Sequence, residues 1–305
     1  MTITVIGSGK VGASIAINCT IRDLDNVLLL DIIKGLPQGE ALDINHQLSE
    51  RGIDRIVRGS NNYEDMSGSE VVVLVAGVGR KPGMTRMDLL NTNAGIVKEV
   101  TLKIKRYIRE DTIIIIVTNP LDPMTYLTLK MTKMGKNKVI GMGGMLDLSR
   151  FKSFVHDALN VSRDSIHAMV IGEHGENMLP LTRFCSISGI PLFEFVSKEK
   201  AQEIFEDTKK TAAEVIALKG ATIFAPGNAV ASMIESVIKN KNSVMPVSTL
   251  LQGEYGVDDV CIGVPAVIGR NGVEKIIELK LDSKEQDLFN GGIKSVKEAI
   301  KALPL

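Results

Sequence analysis

Cysteine is scarce, and Cys19, Cys185 and Cys261 stand far apart, odd in number and never in C-x-x-C spacing. They read as three buried small hydrophobes rather than metal ligands or nucleophiles. Only four histidines occur, none paired at metal-ligand spacing, so no metal site is expected. An excess of either charge is missing as well: 36 basic and 36 acidic side chains cancel. No overall field therefore draws nucleic acid or an anionic membrane, and any anion binding must be local. No apolar run approaches bilayer length, and the chain enters a strand at once (Ile3–Ile6) without a basic-then-apolar leader. These absences predict a cytoplasmic protein that binds neither membrane nor nucleic acid.

What is present is ordinary globular material, 305 residues with 44% hydrophobic and 24% charged side chains, enough for two domains. In the first half, short apolar runs at Ile3–Ile6, Val27–Leu30, 71–75 and 113–117 alternate with helical patterns such as 11–21 and 39–48. That rhythm predicts an α/β fold built on a doubly wound parallel sheet, with the runs as strands buried on both faces. From about Leu146 the texture changes. A helix over 146–159, strands near 166–171 and 181–187, helices over 198–218 and 228–239, strands over 244–251 and 260–268, and a charged helix over 283–302 predict an α+β second half. Gly141-Met142-Gly143-Gly144 breaks the pattern, giving domains 1–143 and 144–305.

Gly7-Ser8-Gly9-Lys10-Val11-Gly12 follows the first strand and opens the first helix. The glycines allow a tight turn, a close approach of pyrophosphate and tight helix–strand packing, with the helix N-terminus facing the phosphates. Asp31, nineteen residues past Gly12, ends the second strand, where a carboxylate accepts both ribose hydroxyls of NAD and repels the extra phosphate of NADP. A second glycine-studded loop, residues 77–86, leaves the carboxyl end of the 71–75 strand and carries Arg80 and Arg86. Backbone freedom plus two guanidinium forks suit a closing lid that clamps planar anions, although a solvated basic turn would look the same. His174, in Ile171-Gly172-Glu173-His174-Gly175-Glu176, lies in a turn after an apolar strand. Asp147 and Arg150 are three apart on one predicted helix and share a face, which by itself could be a simple intrahelical ion pair. Together these residues could supply an acid, its orienter, a carboxylate clamp and a carbonyl polariser for hydride transfer to a 2-oxo acid.

The ordered segments G-S-G-K-V-G, A-G-V-G-R-K-P-G-M-T-R, V-T-N-P-L-D, L-D-L-S-R-F and I-G-E-H-G-E resemble the lactate/malate dehydrogenase family over essentially the full length. The likeness is greatest to the lactate-dehydrogenase-like malate dehydrogenases of prokaryotes. It implies an NAD-dependent, reversible oxidation of (S)-malate to oxaloacetate within the tricarboxylic acid cycle. It further implies that His174 is the proton donor and acceptor, Asp147 its orienting carboxylate, Arg150 the clamp for the C1 carboxylate and Arg86 the carbonyl polariser. Asn119 would sit near the carbonyl and the nicotinamide ribose, with a cis Asn119-Pro120 bond, and Thr222 would line the substrate pocket. Cofactor contacts would come from Gly7, Ser8, Gly9, Lys10, Val11, Gly12, Asp31, Asn93, Val117 and Asn119. Lys152 and His167 occupy places where some relatives bind a sugar bisphosphate. The resemblance implies a homotetramer, with a homodimer as the alternative.

Within the family, the place of Arg80 typically holds Gln in lactate dehydrogenases and Arg in malate dehydrogenases. The physics agrees with that correlation. Oxaloacetate brings a second carboxylate that needs a cation under the lid, whereas pyruvate brings a methyl that would leave a guanidinium unpaired. An uncompensated buried charge costs several kcal/mol. A lactate or broad 2-hydroxyacid dehydrogenase is the alternative within the fold. An NAD-dependent glycosidase would need Cys and His ligands near the site, and a silent NAD-binding module would not need this residue set.

Overall fold

The computed structural model describes residues 3–79 and 83–305. Arg80, the residue that separates the two substrate readings, lies outside the described residues.

Strands β1 (Ile3–Ile6), β2 (Val27–Leu30), β3 (Val57–Ser60), β4 (Val71–Leu74), β5 (Ile113–Ile116) and β6 (Val139–Gly141) pair in parallel in the order β3-β2-β1-β4-β5-β6. Every residue of β1, β2, β4 and β5 is buried, as continuous aliphatic runs require when helices cover both faces. The side chains divide by strict alternation. Val5, Leu29, Val73 and Ile115 pack beneath helices α1 (Lys10–Ile21) and α2 (Leu36–Glu50). Leu28, Val72, Leu74 and Ile114 pack beneath α3 (Arg86–Ile104) and α4 (Leu121–Thr132). The strand order reverses between β1 and β4, so a crevice opens at their carboxyl ends, where open α/β sheets take ligands. The glycine turn after β1 and the loop after β4 meet there: a side chain at Gly7 would lie 2.8 Å from the nitrogen of Ala76.

The second half comprises α5 (Gly143–Leu159), β7 (Ile166–His167), β8 (Val170–Gly172), β9 (Met178–Pro180), β10 (Ser186–Ile187) and β11 (Ile190–Pro191). It continues with α6 (Lys198–Lys219), α7 (Phe224–Ile238), β12 (Ser243–Gln252), β13 (Asp258–Gly269), β14 (Gly272–Ile276) and α8 (Ser283–Lys301). The main sheet does not stop at residues 141–144. Antiparallel β12 joins β6 with Ser248 opposite Gly141, and β13, β8 and β9 extend an eleven-stranded sheet. The change of texture in the sequence is thus a change from parallel to antiparallel pairing within one sheet.

Two expected strands are broken. The 166–171 stretch divides into β7, which joins a small sheet with β10 and β11, and β8, which joins the main sheet. The 181–187 stretch is interrupted by a 3-10 turn at Thr182–Phe184, leaving β9 and β10 on either side. Alternation reports burial and is blind to which sheet a segment joins. Helix α7 begins four residues before the expected 228, and α2 extends beyond 39–48 at both ends. The three cysteines are buried, and burial pushes the thiols of Cys19 and Cys185 up to about 12 and about 11, which leaves them protonated. His167 is exposed on β7 and Lys152 half-buried on α5. No helix among the described residues is long and apolar enough to cross a membrane.

Ile115 is fully buried in the middle of the parallel strands. Ile115→Ala should destabilise the protein by about 2–5 kcal/mol in urea denaturation, and a loss below about 1 kcal/mol would contradict this account of the core.

Candidate active site

The glycine turn fits a dinucleotide. Gly7 adopts φ +103, a left-handed conformation that other residues avoid, and a Cβ on Gly12 would lie 2.0 Å from the Gly7 carbonyl oxygen. A Cβ on Gly9 would meet nothing within 4 Å, so the turn faces open space at the start of α1. The Ser8 hydroxyl is buried without a hydrogen-bond partner among the described residues, a polar atom awaiting an acceptor or donor. Asp31 is set just past β2 by two main-chain donors, Ser8 N at 2.7 Å and Ile33 N at 3.0 Å. Free amides at a helix N-terminus, an uncommitted hydroxyl and a carboxylate at the next strand end suit pyrophosphate and ribose.

Across the crevice, α5 supplies Asp147 and Arg150, and the turn between β8 and β9 supplies His174. The i,i+3 spacing of the first two gives an Arg150 Nη1 to Asp147 Oδ1 bond of 2.9 Å. The other carboxylate oxygen, Oδ2, lies 2.7 Å from His174 Nδ1. One carboxylate therefore serves both partners, and its side chain is only 2% exposed, so the interactions are little screened by water. Burial pushes the His174 pKa down, but the Asp147 charge and hydrogen bond outweigh it, and the ring ends above its ordinary value of 6.5. Arg150 opposes that rise. His174 Nε2 makes no hydrogen bond among the described residues.

Gly143, at the start of α5, makes room for this arrangement. A Cβ there would stand 2.6 Å from His174 Cβ and 2.4 Å from Leu121 Cδ2. The turn that carries His174 is braced from behind. Glu173 accepts hydrogen bonds from Ser295 of α8 (3.0 Å) and from Asn177. The main-chain N–H of His174 donates to Asp122 Oδ2 at 2.8 Å. The sequence reading passed over Asp122, Glu173 and Asn177. Asp122 lies inside the V-T-N-P-L-D segment but 52 residues from its partner, a distance no local pattern spans.

Arg86 opens α3, whose N-terminus is closed by a reciprocal capping box between Thr85 and Asp88. Its guanidinium pairs with Glu176, two residues past His174, so the structure brings Arg86 to the histidine turn. Both side chains are more than half exposed (55% and 75%), and such a pair is worth only about 0–1 kcal/mol, so an incoming anion can displace it. Asn119 is exposed beside a cis peptide bond to Pro120, with Val117 buried just before it. Asn93 is buried, and both its amide hydrogens are spent on main chain, Val78 O at 3.0 Å and Asn119 O at 2.6 Å. Its Oδ1 accepts from Val78 N at 2.8 Å, so Asn93 ties the base of the residue 77–86 loop to Asn119. Thr222 lies half-buried between α6 and α7 with no hydrogen bond to the His174 group.

A dinucleotide crevice facing a buried imidazole–carboxylate–guanidinium group defines a nicotinamide-dependent dehydrogenase. The chain belongs to the lactate/malate dehydrogenase family: residues 1–141 match the family's NAD binding domain and residues 144–303 its alpha/beta C-terminal domain. A malate dehydrogenase of Cytophaga hutchinsonii is 44% identical over 306 residues, spanning 99% of this chain and 98% of the relative. The crystal structure of Cryptosporidium parvum malate dehydrogenase superposes with a TM-score of 0.96 at 38% identity, over 99% of this chain and 98% of that one. A lactate dehydrogenase of the same organism, complexed with lactic acid and nicotinamide adenine dinucleotide, gives 0.94 at 39% identity, over 99% and 97%.

The raised His174 pKa has a stability consequence. Stability from a group whose folded pKa is raised is fully present below its unfolded value, near 6.5, and is lost as pH rises through the folded value. The difference in unfolding free energy between the parent and His174→Asn should therefore shrink as pH rises from below 6.5 into the alkaline range. A difference that is constant across that range would show the ring to be unperturbed.

Proposed function

We propose that this NAD-dependent dehydrogenase interconverts (S)-malate and oxaloacetate through a His174–Asp147 proton relay. The observation that carries the relay is the single buried carboxylate bonded to both His174 Nδ1 and Arg150. Bound NAD would supply the two-electron oxidation at C2 of malate, and Gly7, Ser8, Gly9, Lys10, Val11, Gly12, Asp31, Asn93, Val117 and Asn119 would hold it. In that direction His174 Nε2 takes the C2 hydroxyl proton, and in reverse it returns a proton to the carbonyl oxygen. Asp147 holds Nδ1 protonated, so that Nε2 is the basic nitrogen, and stabilises the imidazolium once the proton arrives. Arg150, anchored by one nitrogen to Asp147, offers its remaining donors to the C1 carboxylate and fixes C2 against the cofactor site. Arg86, released from Glu176, polarises the carbonyl as negative charge develops on it. Arg80 pairs with the second carboxylate and so selects the dicarboxylic acid. Thr222 is assigned to the pocket wall.

The same reading divides the chain at 143/144, close to where the two family matches end and begin. It also takes the protein as a cytoplasmic homotetramer or homodimer serving the tricarboxylic acid cycle.

The fold alone does not choose between malate and lactate, since both relatives superpose closely. Initial rates of NADH oxidation with each keto acid decide. Oxaloacetate should exceed pyruvate in kcat/KM by about a hundredfold or more, and Arg80→Gln should shrink that ratio by at least about tenfold. Equal use of both acids by the parent would favour a broad 2-hydroxyacid dehydrogenase. A ratio unmoved by Arg80→Gln would remove Arg80 from the account.

A further inference from the structure

A buried carboxyl group bonded to the histidine turn, but without a part in the proposed relay, is that of Asp122, in the first turn of α4. An acidic residue there faces the positive end of the helix dipole, and α4 has no side-chain cap. Asp122 is buried (1% exposed), and the hydrogen bond it makes is to the main-chain N–H of His174, at 2.8 Å. Its second oxygen, Oδ1, has no partner among the described residues, and neither does the nearby Ser248 hydroxyl. The bond crosses the molecule's main division, since Asp122 falls in the NAD binding domain match and His174 in the C-terminal match.

We propose that Asp122 is a positioning residue for His174, its buried carboxylate holding the imidazole in place through the histidine's own main-chain N–H. The inference rests on the proton relay proposed above. The packing supports it. Leu121, adjacent to Asp122, and the His174 Cβ both lie against the bare backbone of Gly143, so α4, α5 and the histidine turn meet at one point. Moving the first turn of α4 therefore moves the ring against Asp147 on α5. The arrangement is costly in isolation. Burial pushes the Asp122 carboxyl up to about 6, partly offset first by the neighbouring Ser248 hydroxyl and then by the His174 N–H and the His174 charge, while Glu173 works in the same direction as burial. From β13 the buried Cys261 thiol faces it, and from β12 Ser248. Among the described residues the His174 N–H is the geometric hydrogen-bond partner of this buried carboxylate, so that bond is the contact its burial secures. The Asp122 charge also raises the His174 pKa, so it reaches the ring electrostatically as well as sterically.

The test compares Asp122→Asn with Asp122→Ala in the full-length protein. Three readouts are needed: kcat and KM with oxaloacetate and NADH, melting temperature, and the His174 imidazole titration followed by NMR without substrate. Asn keeps an acceptor for the N–H but not the charge, whereas Ala removes both. Asp122→Ala should lower kcat by about tenfold or more with KM for NADH within about twofold, because a misplaced ring slows chemistry without touching the nucleotide turn. Asp122→Asn should restore most of kcat yet titrate His174 at lower pH than the parent. Parent-like kcat in Asp122→Ala, or equal loss in both variants, would overturn the proposal. If Asp122→Ala fails to fold, an unshifted His174 titration in Asp122→Asn overturns it instead. A parent enzyme inert towards oxaloacetate would refute the proposed function, and the substrate-free titration would still judge Asp122.

Discussion

The site depends on one carboxylate reaching two cations at once. Asp147 lies beneath the crevice with one oxygen on the His174 ring and the other on Arg150, almost fully removed from water. Removing either partner would leave a buried charge under-compensated, and that cost ties the three side chains into a unit. Several features of the fold serve this contact. The i,i+3 spacing on α5 aligns Asp147 with Arg150, and bare Gly143 lets the histidine turn approach. The continuation of the parallel sheet through β12 and β13 brings β8, and hence His174, up to α5. One eleven-stranded sheet therefore sets both the crevice, between β1 and β4, and the histidine turn, after β8.

Much of this was readable in the sequence. The apolar runs of β1, β2, β4 and β5, broken only by Thr4, announce strands buried on both faces because short continuous runs of branched aliphatics suit a parallel sheet covered on both sides. The glycines of the first turn and the Asp147–Arg150 spacing are local patterns, and local patterns survive folding. Helix α4 escaped notice for an equally physical reason. Nearly its whole circumference is buried, including Thr125 and Thr128, so it carries no polar stripe to set a helical period. Asp122 and Glu176 were hidden because their partners are assigned by tertiary structure, not by spacing. Asn93, expected at the cofactor, also spends its amide on the backbone of Val78 and Asn119, a tertiary role that no local pattern announces.

The division of labour between scaffold and loop explains how one architecture serves two substrates. Malate and lactate dehydrogenases both superpose on this chain with TM-scores of 0.96 and 0.94, so the backbone of the sheet and helices does not distinguish the two. On the reading proposed above, the choice falls to side chains that meet the far end of the substrate. A residue on a loop leaving the switch point can change that specificity without disturbing the buried relay. The exposed Arg86–Glu176 pair joins the start of α3 to the histidine turn by a contact that is cheap to break.

The dependence of His174 on Asp147 is the core of the account, and one measurement reaches it directly: the NMR titration of the His174 imidazole in the parent and in Asp147→Asn. Asn preserves the size and a hydrogen-bond acceptor while removing the charge that outweighs burial. The account predicts a parent ring that titrates above 6.5 and a variant ring that titrates below the parent. The same titration in both proteins would mean that the shared carboxylate does not govern the ring.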